Sequence, residues 1–293
     1  MTPFFNAESY LEDALTSVAQ QSYSNWELLL VNDGSTDRSR EIALDFASKD
    51  RSRVHYLEHA GVRNLGKSTS RNLGISRAKG KYLCFLDADD VFMADKISRQ
   101  VQIFDEYPNV TMVFGNTLWW YSWKGAEIEG QTDYVPDLCL ESDRIIEPPS
   151  LIKVFLGGMA GKPPCICSVM VKSGIVRLVN GFDENIQHLY EDQVLLAKLL
   201  SQYSVVVTQD ALEKYRQRDD SDWHQSIQTG EDLAARCVFI MWLDSYLSSN
   251  GIDVGDMLPL LKSELRGCRH PDSYRVIRKI KSAVRRLVKV SSY

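Results

Sequence analysis

Apolar residues along the first third of the chain follow two alternating rhythms. Trp26-Glu27-Leu28-Leu29-Leu30-Val31-Asn32-Asp33 is a short apolar run ending in polar residues, the pattern of a strand buried on both faces. Gly34-Ser35-Thr36-Asp37 supplies a turn and a cap. Ser39 to Lys49, apolar at Ile42, Ala43, Phe46 and Ala47, then predicts a helix. Val54-His55-Tyr56-Leu57 predicts a second strand, Ser68 to Ala78 a helix closed by Gly80, and Lys81 to Leu86 a third strand. Strand and helix in alternation predict an α/β fold, a Rossmann-like and mostly parallel sheet flanked by helices.

The rhythm changes beyond residue 115. Residues 116–150 hold Trp119, Trp120, Tyr121, Trp123, several acids and Pro148-Pro149 without a clear period. Val169-Met170-Val171 resumes a strand, Asn180-Gly181-Phe182-Asp183 makes a turn, and Glu191 to Leu200 is a strongly apolar helix. Further helices are predicted at 231–248 and 274–290. These patterns divide the chain into a domain at 1–225, with halves 1–115 and 116–225, and a helical C-terminal extension at 226–293. One place breaks the scheme. The first strand of such a sheet should precede Pro3-Phe4-Phe5-Asn6, where only Met1 and Thr2 stand. The expectation is a fold lacking its opening strand, or a natural start further upstream, with poor folding or weak ligand binding as the result.

Composition narrows the class. Hydrophobic residues make up 44% and charged residues 25%, enough for a packed core and against disorder. No apolar run reaches about 18 residues, so no membrane-spanning helix is expected, and the start lacks the form of a signal peptide. The six cysteines are scattered and read as reduced thiols of a cytoplasmic protein, since one Cys-x-Cys pair does not make a zinc site. The net charge of −5 conceals an asymmetry: Arg269 to Lys289 carries eight cations and one Asp, leaving −12 on the remainder. That distribution argues against a nucleic-acid partner. In 274–290, Val276, Ile277, Ile280, Val284, Leu287 and Val288 recur between cations, which suits either an anionic membrane surface or packing on the domain.

Ligands of parallel sheets collect at the carboxyl ends of the strands, where Asp33 and Asp87-Ala88-Asp89-Asp90 both fall. Acids one residue apart in a tight turn can address a hard cation such as Mg²⁺ or Mn²⁺, which shares oxygen ligands with a diphosphate. Asp33 can accept from a nucleobase imide or cap the following helix, and Arg71 can pair with phosphate or hold an acid. Glu191-Asp192 opens a helix, where acids suit the dipole and where one of them can act as a base. Trp119 and Trp120 can stack on a sugar or pack under a loop.

With these residues in place, the chain resembles the family-two inverting glycosyltransferases of the GT-A fold. The likeness rests on Pro3-Phe4-Phe5-Asn6, Val31 to Asp37, Gly66 to Gly74 with Arg71-Asn72, Gly80 to Asp90, Gly181-Phe182-Asp183-Glu184 and Glu191-Asp192. It implies transfer of a sugar from a nucleoside-diphosphate sugar, with a UDP-sugar favoured, to a saccharide or lipid-linked acceptor in polysaccharide or glycoconjugate synthesis. The setting implied is cytoplasmic and peripheral on the inner face of the membrane. Phe5 and Asp33 would lie near the nucleobase, Arg71 near the nucleotide and Asp87 near the ribose. Asp89 would hold Mn²⁺ or Mg²⁺, Asp192 would be the base, and Glu191, Trp119 and Trp120 would meet the acceptor. Arg218 stands where a histidine is common in that family, with His224 six residues on. Two rivals are a nucleotidyltransferase, whose Gly-rich phosphate loop is missing near Pro3, and a truncated, non-catalytic relative.

Overall fold

The structure, a computed structural model, describes residues 1–125, 132–156, 161–186 and 189–269. Three parallel strands open it: β1 (Thr2–Phe4), β2 (Leu28–Asn32) and β3 (Val54–Glu58), in the order β1-β2-β3. Thr2 lies opposite Leu30, and Leu28 opposite Val54. Every residue of β2 is buried, because helices cover both faces of a parallel sheet. The connections are α1 (Leu11–Ala19) and α2 (Ser39–Lys49), and α3 (Lys67–Arg77) leads on to β4 (Tyr82–Cys84).

The opening strand expected to be missing is present as β1. The Met1 amine donates to the Cys84 carbonyl at 2.8 Å, and Leu86 N–H donates to the Met1 carbonyl at 3.0 Å. β1 is thereby paired on both sides, with β2 on one and the end of β4 on the other. Three residues, one of them a proline, carry too little pattern to register as a strand.

The remaining strands form a mixed sheet. They are β5 (Val91–Phe92), β6 (Met112–Trp120), β7 (Arg144–Ile146), β8 (Met170–Lys172) and β9 (Val205–Arg216). The order is β4-β8-β6-β9-β5, with β7 on β9; β6 and β9 are parallel and the other pairs antiparallel. The expectation of a mostly parallel sheet therefore holds for the first three strands. In the second sheet β6 and β9 keep that direction, while β4, β5, β7 and β8 pair antiparallel with their neighbours.

Helices α4 (Lys96–Glu106), α5 (Ser173–Leu178) and α6 (Glu191–Leu200) flank this sheet. They are followed by α7 (Asp222–Thr229), α8 (Glu231–Ser249) and α9 (Leu258–Arg269). The boundary expected at 225/226 falls inside α7. The largest core joins Val194, Leu195 and Leu199 of α6 to Phe239, Ile240 and Leu243 of α8. A second core, with Phe4, Leu11, Leu30, Ala43 and Leu86, lies under the N-terminal strands. Among the described residues no helix is long and apolar enough to cross a membrane. The basic amphipathic helix expected at 274–290 lies outside the described residues.

Candidate active site

Arg71 ties the site together. It is 1% exposed on α3, donating from Nη2 to Asp87 Oδ1 at 2.7 Å and from Nη1 to Glu191 Oε1 at 3.1 Å. Its Cζ lies 5.1 Å from the centroid of the Phe182 ring, and its Nε–H has no partner among the described residues. Burial works against the Arg71 charge, but Asp87 and Glu191 outweigh it and hold the guanidinium firmly protonated. Burial likewise would raise the Asp87 carboxyl, yet Arg71 and Lys67 keep it below the usual carboxylate range. Three segments distant in sequence are thus joined by one fork-shaped cation.

Asp192 occupies the same electrostatic neighbourhood without an arginine of its own. Burial and then Glu191 push its carboxyl up to about 7, with Arg71 opposing. A carboxyl poised near neutral pH suits a general base. The backbone before it is unusual. Tyr190, buried and stacked on Phe239, has φ +69°, a left-handed conformation that costs a non-glycine residue about 1–3 kcal/mol.

Asp33 lies just past β2 and is 5% exposed. Its carboxylate accepts from Leu65 N–H at 2.8 Å and Gly66 N–H at 3.0 Å, fixing the loop that enters α3. Phe5, just past β1, is 46% exposed. Neither contacts the Arg71 cluster directly.

Beyond Asp87 the acids diverge. Asp89 Oδ2 accepts from Arg218 Nη2 at 2.7 Å and Nε at 3.1 Å. Asp90 is buried, accepts from Arg216 N–H at 2.9 Å, and is pushed well above the carboxylate range by burial and by Asp89 and Asp87. Asp90 is thus buried and tied to the end of β9. Among the described residues no group of three metal-ligating side chains converges. Asp89 Oδ1 and Asp87 Oδ2 each lack a hydrogen-bond partner among the described residues, the other oxygen of each being taken by Arg218 and Arg71. That fits a hard cation completed by phosphate and water rather than a protein cage.

Trp119 and Trp120 end β6. Trp120 faces Arg216 at 4.5 Å and Lys214 at 5.1 Å, while Trp119 packs against Tyr134 at 5.5 Å and Tyr215 at 6.2 Å. Arg216 is enclosed by Tyr10, Trp120 and Trp123 and bonded to Asp13. His224 lies exposed on α7, with its backbone N–H donating to Ser221 Oγ at 3.2 Å. Lys67, Asp13 and Tyr10 were given no role from sequence. Lys67 donates to Asp222 at 2.7 Å, and its charge faces Glu191 and Asp87. One signal was available: Arg216 and Arg218 sit two apart at a strand end and so address one face.

Comparison with known proteins bears on the family and the fold. Residues 1–134 match the model of glycosyl transferase family 2. The chain is 40% identical over 108 residues to a putative teichuronic acid biosynthesis glycosyltransferase, TuaG, of Bacillus subtilis strain 168, covering 36% of this chain. It spans only 41% of that relative's length. Among solved structures, residues 1–349 of S. aureus TarS in complex with UDP-GlcNAc align with TM-score 0.60 at 18% identity, over 82% of this chain and 65% of that one. The mannosyltransferase PcManGT of Pyrobaculum calidifontis, in complex with GDP-Man and Mn²⁺, aligns with TM-score 0.58 at 14% identity, over 97% and 79%. Residues 1–134 are thus similar to glycosyl transferase family 2, on a chain that folds as GT-A.

Proposed function

We propose that the chain moves a glycosyl unit from a nucleoside-diphosphate sugar to an acceptor hydroxyl with inversion, in polysaccharide or glycoconjugate synthesis. The observation that carries this reading is the Arg71 knot, which joins Asp87 to the helix start bearing Asp192. Phe5 covers the nucleobase and Asp33 meets its imide edge, with UDP favoured as in the TarS complex. Asp87 holds the ribose. Asp89 binds Mn²⁺ or Mg²⁺ through its remaining oxygen, and such a cation would neutralise charge on the departing phosphate. Asp192 takes the proton of the acceptor hydroxyl. The oxygen attacks the anomeric carbon from the face opposite the diphosphate, whose bond breaks in the same displacement.

Of the acceptor candidates, Trp119 suits a saccharide best, since Trp120 is engaged by two cations and Glu191 by Arg71. A lipid-linked acceptor and a peripheral position on an anionic membrane are consistent with the basic C-terminal sequence. The test is glycosyl transfer and donor hydrolysis with Mn²⁺ across a panel of nucleotide sugars. Asp192→Asn is expected to lower kcat about 10²–10⁴-fold with donor affinity intact. A variant that keeps wild-type turnover refutes Asp192 as the base, and no turnover of any donor by wild type refutes the reading as a whole.

A further inference from the structure

Arg216 closes β9 and Arg218 follows two residues on, but the two are used differently. Arg216 is 4% exposed and spent: its N–H serves Asp90, its Nε the Asp89 carbonyl at 2.7 Å, its Nη2 Asp13 at 2.8 Å, and three aromatic rings enclose it. It is a fixed strut. Arg218 instead forks onto a single oxygen of Asp89, with an Nη1 contact to the exposed Asp220 at 3.1 Å and the Tyr10 ring at 4.7 Å. Its side chain keeps 18% of its surface. A guanidinium that grips one carboxylate oxygen from an accessible position presents the same planar donors to a phosphate.

Resting on the transferase reading above, we propose that Arg218, oriented by Asp89, binds the donor's diphosphate directly, so that nucleotide binding persists without a divalent cation. The charge balance of the site supports it. Asp87 is already paired with Arg71, Asp90 is engaged by the Arg216 N–H, and Arg216 is closed in by rings and Asp13. The cation paired with the Asp89 carboxylate is Arg218, whose side chain keeps some exposure. As the bond from the anomeric carbon to the phosphate oxygen breaks, its electron pair stays on that oxygen. The Arg218 N–H groups then meet the charge that forms, while the acceptor's proton goes to Asp192.

The experiment is calorimetric titration of nucleoside diphosphates, UDP first and then GDP, dTDP, CDP and ADP. Wild type, Arg218→Gln and Arg218→Lys are each titrated in EDTA and in Mn²⁺. Wild type is expected to bind one of them in EDTA. Arg218→Gln should weaken that affinity by roughly tenfold or more, the worth of one charge-assisted hydrogen bond, and Arg218→Lys by less. Mn²⁺ should narrow the gap between Arg218→Gln and wild type. Wild-type binding confined to Mn²⁺, or equal affinity of Arg218→Gln and wild type in EDTA, overturns the proposal and leaves the transferase reading standing. Absence of binding to every nucleotide in both media overturns both. Where Arg218→Gln melts well below wild type, the wild-type titration in EDTA still decides.

Discussion

Asp192 and Glu191 are neighbours of the same charge type, yet the fold gives them opposite surroundings. Glu191 accepts from Arg71, while Asp192 carries the cost of burial beside that carboxylate and is held at about 7 against an ordinary 3.8. The consequence for stability follows from which state holds the proton. Between those two values the folded chain keeps a proton that the unfolded chain releases, so stability falls as pH rises through that window. Asp192→Asn cannot ionise and escapes this loss. It is expected to melt higher than wild type at about pH 8 and to differ little at about pH 4, by thermal scans at both. Activity should run the other way, with wild-type kcat/KM rising as pH climbs to about 7 because the base must lose its proton. An Asn variant no more stable than wild type at the higher pH removes the buried-base account.

At the scale of elements, the turn after β2 shapes the region proposed to take the nucleotide. Gly34 has φ +81°, and a Cβ there would stand 2.6 Å from Asn64 N and 2.7 Å from the Arg63 carbonyl carbon. The loop that Asp33 fixes through Leu65 and Gly66 lies directly against this glycine. Gly34→Ala is therefore expected to cost about 1–3 kcal/mol in urea denaturation and to weaken UDP binding. Loss of stability with unchanged UDP affinity would separate the loop from the nucleotide site. This turn was legible in the sequence because Val31 to Asp37 runs from strand to cap in one stretch. Other elements were not. The alternation of β6 is interrupted by register shifts between Gly115 and Asn116 and between Asn116 and Leu118, so 116–120 reads as aperiodic. Helix α4 buries Lys96 and Gln100, and β9 buries Glu213, which donors from Lys96 and Thr117 satisfy. Polar residues buried with partners break the apolar periods on which strand and helix are read. The sequence singled out Asp87, Asp89, Asp192 and Arg218, but the pairing of Arg218 with Asp89 joins segments too far apart in the chain for periodicity to reveal.

The whole molecule divides its site between two cores. Asp33 and Phe5 follow strands packed over the N-terminal core, whereas Asp192 opens a helix seated in the larger core with α8. Phe239 of α8, fully buried, stacks on Tyr190 at 5.4 Å and meets Phe155 edge-on at 5.6 Å. Arg236 one turn earlier donates to the Phe155 carbonyl at 2.8 Å and to Glu264 of α9 at 2.7 Å. The C-terminal helices thus press on the residue whose left-handed backbone sets the start of α6. Phe239→Ala leaves a cavity where that stack stood, and a loss of about 3–5 kcal/mol is expected in urea denaturation. The kinetic consequence should be selective. With Tyr190 unsupported, Asp192 loses its position and kcat falls. UDP affinity should stay near wild type, because the nucleotide side leans on the other core. Equal losses in kcat and UDP affinity would mean that the two cores move as one. A loss of stability alone would mean that the Tyr190 backbone holds its form without α8.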